Sequence, residues 1–523
     1  MPQTRPPLSG RLRAAAVARI VPRTACGHGL VSRVFLRTSG APRGWLPEAW
    51  QDSIRRRLLG NWLAGAQGIA VTDGRVATAP PWDGAETCPQ VVIAPDAARI
   101  VSAPGPARGA MLLLARDATA IAGGADRLTA ALAASPGAVV AYGDALFADA
   151  DGRVTGHWLK PPRTDPLLLA QGLLLHGLVA VAQDAPGRAA LLAALRAGAP
   201  LQAAMAAFAR NLSAAQVTPC MAPVVVCAPP APVPMDLPTL PDHLPDHPLP
   251  VASILIPTRN GWDLLGPCLA SLQKTDWPRD RLEILVIDNG SDDPRTLAEL
   301  DARAAAGAIT LLRDDGDFNF ARLNNAAARA AQGDLLVLLN NDTTARDPGW
   351  LRRLAAHALQ PDVGAVGCKL LYPDGDVQHA GVALGLRGGA QHVFVGRGAD
   401  DPGYNHLAAV DRSVSAVTAA CLAVTRSAFD AVGGLREDLA VSYNDVVFCA
   451  DLMAAGYRNV CVAAPLFTHF ESRSRGKDTD RAKRDRHRAE RARAIALHPD
   501  LFAQDPFYSP HLSRKLDHAL LLV

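Results

Sequence analysis

At 523 residues, with 49% apolar and 20% charged side chains, the chain is too long for one growing core and too apolar to stay disordered, so two globular domains are expected. A net charge of +3 gives no electrostatic case for nucleic-acid binding. No uncharged apolar run reaches the roughly 18 residues that a membrane-spanning helix needs.

Residues 1–44 hold eight arginines (Arg5, Arg11, Arg13, Arg19, Arg23, Arg33, Arg37 and Arg43) and no acid. They read as a poorly ordered basic lead-in, with a transit peptide as the alternative, and they lack the apolar centre of a secretory signal. Nine scattered cysteines form no CxxC pair and no zinc spacing, as expected of free thiols in a reducing compartment. Residues 45–227 are an Ala/Leu-rich stretch with weak punctuation. In residues 228–250 dense prolines remove backbone donors and favour an extended spacer, the clearest domain boundary in the chain.

Beyond it, strand-like and helix-like runs alternate. Ala252–Pro257, Glu283–Asp288, Ala308–Arg313 and Asp334–Leu339 have the length and apolar density of buried strands. Trp262–Gln273, Arg295–Ala306 and Arg322–Ala331 carry helical apolar spacing between them. This alternation predicts a doubly wound, largely parallel sheet, whose ligands bind at the carboxyl ends of the strands.

The strand ends carry the chemistry. The first delivers Thr258, Arg259 and Asn260. The second ends at Asp288, which can accept from a base or ribose hydroxyl or else satisfy a local turn. Asp293 before Pro294 is a helix start, with an N-cap followed by proline. The fourth strand runs into Asn340-Asn341-Asp342, which suits a hard divalent cation holding phosphates and is equally a good turn. Asp445 stands before a helical run, either as a general base kept anionic by the helix N-terminus or as a plain cap. His469, Glu471, Arg473 and Arg475 follow an apolar run and could close over a diphosphate or form a solvated charge cluster.

In their order these segments resemble family 2 glycosyltransferases of the GT-A fold, in the branch that builds O-antigen and related surface polysaccharides, often as rhamnosyltransferases. The pieces include VASILIPTRNG at 251–261, EILVIDNGSDD at 283–293, DFNFARLNNAAA at 317–328, LLVLLNNDT at 335–343, YNDVVFCADLMAAGYRNV at 443–460 and HFESRSRG at 469–476. The resemblance implies a mixed GT-A sheet over 251–476, with Thr258, Arg259, Asn260, Asp288, Arg322, Asn325 and Asn341 around the nucleotide. It implies Asp342 and His469 at a Mn2+ or Mg2+ ion, Asp445 as catalytic base, and Gln378, His379, Arg473 and Arg475 on the diphosphate or acceptor side. The implied reaction is an inverting transfer from a nucleoside-diphosphate sugar (dTDP-rhamnose or a UDP-sugar) to a glycan or lipid-linked acceptor. The implied place is the cytoplasm, with peripheral contact to the inner face of the cell membrane. One departure is Val447, where relatives carry a second acid two residues after the base. It keeps open a non-catalytic scaffold that binds glycan or partner enzymes. A dinucleotide-dependent oxidoreductase would need G-x-G-x-x-G after the first strand, and Pro257–Gly261 has one glycine.

The upstream half carries an echo. MLLLARDAT at 111–119 and the segment after it resemble LLVLLNNDTT and its sequel, with Asp117 and Asp342, and Pro136 and Pro361, each 225 positions apart. Residues 45–227 therefore read as a degenerate transferase-like α/β domain, with Ala-Arg-Asp at 115–117 where a working site would gather acids. Residues 477–523 are expected to form a charged helix and tail. That helix would be either solvated and held by i,i+4 ion pairs or resting on an anionic membrane surface.

Overall fold

The structure is a computed structural model that describes residues 71–72, 75–76, 93–94, 98–103, 110–115, 118–175, 177–227, 244, 248–470 and 481–515. The basic lead-in, most of the proline-rich spacer, Asp117, Arg473 and Arg475 lie outside the described residues. Two large sheets organise the rest. The first contains β1 (Ile93–Ala94), β2 (Ala98–Ala103), β3 (Ala110–Ala115), β4 (Thr119–Ala120), β5 (Val140–Ala148), β6 (Val154–Trp158), β7 (Leu178–Ala182) and β8 (Val217–Cys227). Their order is β1-β2-β3-β7-β5-β8-β4, with β6 added on β5.

The second sheet begins with the four apolar runs, now β9 (Ala252–Thr258), β10 (Leu282–Asp288), β11 (Thr310–Arg313) and β12 (Leu335–Leu339). They lie parallel in the order β11-β10-β9-β12. The connecting helices are α1 (Trp262–Leu272), α2 (Pro294–Ala305) and α3 (Phe320–Ala330). Alternation explains why both faces are covered. Ile254, Ile256, Val286, Leu335 and Val337 pack with Trp262 and Leu265 of α1 and Leu300 of α2, while Leu255, Leu285, Leu336 and Leu338 pack with Phe320 and Leu323 of α3. The Asp293 cap accepts from Thr296 N at 2.7 Å with Pro294 at the first helical position, as the sequence predicts.

The parallel pattern stops there. The sheet continues with β13 (Thr343–Ala345), β14 (Val363–Leu371), β15 (Val377–His379), β18 (Arg412–Val414), β19 (Cys421–Thr425) and β20 (Arg458–His469), while β16 (Val382–Leu384) and β17 (Ala390–His392) form a separate hairpin. Beyond β12 the order is β19-β14-β20-β13, and β19 runs antiparallel to both of its neighbours. The result is the mixed α/β sheet of the GT-A expectation, with a parallel half and a largely antiparallel half. Two more helices matter below, α4 (Asn444–Ala454) and α5 (Arg481–Leu497). No helix among the described residues is long and apolar enough to cross a membrane.

The antiparallel half occurs twice. In the first sheet β3-β7-β5-β8-β4 with β6 on β5 repeats the order β12-β19-β14-β20-β13 with β15 on β14. Every pairing keeps its direction, parallel only between β5 and β8 and between β14 and β20. The units differ at the open edge, where β12 meets β9 in parallel and β3 meets β2 antiparallel. They also touch each other. The buried Asp165 carboxylate accepts from Ser413 N and Oγ, both at 2.8 Å, and the Tyr404 hydroxyl lies 2.7 Å from His157 Nδ1.

Candidate active site

Register brings the strand ends together. Thr258 pairs with Asp288 and Asp288 with Arg313, so three polar side chains emerge side by side at the carboxyl end of the parallel half. On the other side of β9, Asn341 Nδ2 donates to Thr258 Oγ1 at 2.9 Å and closes the crevice where the strand order reverses. Asp288 is buried; one oxygen accepts from Ser291 N at 3.2 Å and from the Ser291 hydroxyl, and the other from Arg313 Nη1 at 2.6 Å. Arg313 and Ser291 carry no sequence signal beyond their place at a strand end, and their role emerges only from register.

Asn260 proves to be a staple. Its backbone takes φ +54°, its N–H donates to Ser291 Oγ at 2.7 Å, and its Nδ2 donates to Asp292 at 2.8 Å. Its Oδ1 accepts from Asp292 N and Asp293 N, both at 3.0 Å. The amide thus ties the first strand-end loop to the second. Arg259 beside it is exposed. Arg322 forks onto Asp314, with Nη2 to Oδ1 at 2.9 Å, which holds the Asp314 carboxyl below its ordinary range. Asn325 is occupied by backbone: Nδ2 donates to Leu435 O at 2.8 Å and Oδ1 accepts from Leu435 N at 2.9 Å. It ties α3 to the loop beyond the short helix Arg426–Ala431 that follows β19.

The antiparallel half supplies a second group. β13 and β20 pair Thr343 with His469, which places the imidazole beside Asp342. His469 Nε2 lies 3.1 Å from Asp342 Oδ1, and Nδ1 donates to Gln378 Oε1 at 2.7 Å. All three side chains are buried. Asp342 and His469 thus face each other as a carboxylate–imidazole pair of a kind suited to a divalent cation. Among the described residues no group of three or more His, Cys, Asp or Glu is placed to hold a metal ion. His379, next to Gln378, is buried against the ring of His392 at 4.7 Å. Burial first, then the charges of His392, Arg412 and His469, push its imidazole well below the ordinary range.

Asp445 lies in the first turn of α4 rather than at its cap. Oδ1 accepts from Val446 N at 2.8 Å and Oδ2 from Ala419 N at 3.1 Å, and the side chain keeps partial exposure. Ala420 O in turn accepts from Asn340 N at 3.1 Å. One short segment, 419–420, therefore holds both the Asn340–Asp342 strand end and Asp445 at the same end of the sheet. Val447, two residues on, is fully buried in the core that also contains Val417, Phe429 and Leu452. In the first unit Val225 and Val226 pair with Ala120 and Thr119, where in the second Phe467 and Thr468 pair with Ala345 and Thr344.

The Asn-Asn-Asp strand end and the first two strand ends of this α/β crevice fall within the stretch that a known family matches. The family described as Glycosyl transferase family 2 matches residues 253–433. Over 270 residues, half of its length, the chain is 40% identical to a Sinorhizobium fredii protein named Uncharacterized protein y4gI, and it covers 29% of that protein. It is 38% identical over 267 residues to the O-antigen biosynthesis protein RfbC of Myxococcus xanthus, covering 20% of it. The chain thus spans less than a third of the length of these two relatives. Among solved structures, the mannosyltransferase PcManGT of Pyrobaculum calidifontis in complex with GDP-Man and Mn2+ is similar at 22% identity and a TM-score of 0.34. That similarity covers 47% of this chain and 64% of the other.

Proposed function

We propose that this chain transfers a sugar from a nucleoside-diphosphate donor to a growing polysaccharide or lipid-linked glycan, with inversion. The reading rests on one observation: the Asp342–His469 pair and the Asp445 carboxylate are held at the same sheet end by the 419–420 segment. Thr258, Asp288 and Asn341 line the nucleotide side of the crevice, ordered by Asn260 and Arg313. Asp342 and His469 would hold Mn2+ or Mg2+, which when bound neutralises charge on the departing diphosphate. Asp445, whose carboxylate accepts from two backbone N–H groups in the first turn of α4, takes the proton of the acceptor hydroxyl as that oxygen attacks the anomeric carbon. Gln378 fixes the ring of His469 so that Nε2 faces Asp342. The sequence resemblance supports a dTDP-rhamnose or UDP-sugar donor and work in the cytoplasm, and the basic charge of α5 supports peripheral contact with anionic lipid.

The first unit, with Val226 where the second has Thr468 and Cys227 at the next position where the second has His469, is a degenerate transferase-like domain in this reading. Val447 is absorbed in the core, so the missing acid leaves no gap in packing. The test is calorimetric titration with UDP, dTDP and GDP, each with and without Mn2+. One nucleotide should bind in a Mn2+-dependent way, and the dependence should vanish in Asp342→Ala. A folded protein that binds none of the three would favour the scaffold reading.

A further inference from the structure

Helix α5 is strongly basic, with seven Lys and Arg residues and two acids between Arg481 and Leu497. One of those acids faces the wrong way for a solvated helix. Glu490 is buried, and its carboxylate accepts from two successive backbone donors, Val441 N at 3.1 Å and Ser442 N at 2.9 Å. These are the residues that lead into Tyr443 and Asp445. Three further contacts join the same elements. Arg491 Nε donates to Gly388 O at 2.8 Å, His487 Nδ1 lies 3.2 Å from Ser442 Oγ, and the His487 and Tyr443 rings stand 5.6 Å apart.

Tyr443 is the pivot. It holds φ +62°, a conformation that a bulky side chain rarely adopts and that its surroundings must enforce. Its hydroxyl accepts from Ala390 N at 3.4 Å and sits so close to Gly389 that a Cβ there would come within 2.4 Å of it. Helix α5, the 441–445 loop and the 388–390 turn are thus interlocked through side chains of opposite character: an acid capping one loop and a cation capping the other.

We infer that α5 is a clasp that sets the position of Asp445, with Glu490 as its positioning residue. The Asp445 part of this inference rests on the proposed reaction; the ordering of the loop does not. A carboxylate shared by two N–H groups can be replaced isosterically by an amide that accepts from only one of them. The second N–H then meets an NH2 group and loses its partner. Only the local turn should loosen, because Ala494, Ile495 and Leu497 keep α5 packed on the core when the Glu490 contact is lost.

The test compares Glu490→Gln with Arg488→Ala, a change on the exposed side of the same helix. Hydrogen exchange over residues 441–448 should quicken about tenfold in Glu490→Gln and stay unchanged in Arg488→Ala, with the same melting temperature in both. Mn2+-dependent binding of UDP, dTDP or GDP, whichever the wild type binds, should be unaltered, while the turnover number falls about tenfold at constant donor KM, since the base is displaced and not removed. Unchanged exchange at 441–448 overturns the clasp whether or not turnover can be measured. Faster exchange with full turnover keeps the clasp as a loop-ordering device and overturns its link to Asp445. If Glu490→Gln does not fold, Glu490→Asp, one methylene shorter, is to give the same exchange signature at reduced amplitude, and wild-type exchange in that variant also overturns the inference.

Discussion

Replacing Asn260 separates two things that the residue does at once. Its side chain makes three hydrogen bonds to the 292–293 backbone and to the Asp292 carboxylate, and its backbone sits at φ +54°. Two of the bonds are exposed, so the three together contribute about 2 kcal/mol, toward the low end for such bonds. Asparagine tolerates the left-handed region, whereas alanine adds about 1 kcal/mol of strain there. Asn260→Gly should therefore cost about 2 kcal/mol and Asn260→Ala about 3 kcal/mol, read from urea denaturation midpoints at constant slope. In the proposed reading the same loops form the nucleotide side of the crevice. Losing their shared order should raise the Kd of the bound nucleotide about tenfold in both variants. Equal midpoints for wild type, Gly and Ala would refute the staple, and a raised nucleotide Kd at equal midpoints would return Asn260 to a direct nucleoside contact.

Asp445→Asn should lower turnover by about 10²–10⁴-fold while leaving nucleotide binding intact; product formation measured by chromatography from a panel of UDP-, GDP- and dTDP-sugars decides it, and undiminished turnover removes Asp445 from the mechanism. Stability should also depend on pH through His157. Burial lowers its ring to about 4, against roughly 6.5 in an unfolded chain. Between those values the unfolded chain binds more protons, so stability is complete above about pH 6.5 and falls by up to about 1.4 kcal/mol per unit as the pH drops toward 4. Melting temperatures from pH 7.5 to 5 should slope less steeply in His157→Gln than in the wild type, and parallel curves would show that His157 is not the titrating group.

Much of the parallel half was legible because its strands are buried on both faces and its helices are amphipathic, so apolar length and spacing alone mark Ala252–Thr258, Leu282–Asp288 and Leu335–Leu339. The Asp293-Pro294 start was legible because capping is local. What was hidden depends on pairing between distant segments. Gln378 was placed on the acceptor side without a role, and only the fold shows it orienting His469 from 91 positions away. Arg313 was one arginine among many until register set it against Asp288. Asn325 sits in the segment that resembles a nucleotide-site motif, yet its amide is used by Leu435, a partner 110 positions on. Glu490 did leave a trace, as one of two acids in an otherwise basic helix, but composition does not say which way a side chain turns. Antiparallel entry of β19 was also out of reach, since a fully buried strand carries no mark of its direction.

The five-strand arrangement found twice behaves like a plug with a tolerant socket. Its edge strand accepts a parallel neighbour in one unit and an antiparallel neighbour in the other, since a strand edge offers donors and acceptors to either direction. Whatever adjoins that edge can therefore be exchanged without redrawing the plug. In the second unit the edge receives three parallel strands whose ends form a crevice. In the first, the described residues show it receiving a short antiparallel ribbon. On this architecture, gaining or losing a nucleotide pocket amounts to changing what is docked along a single strand.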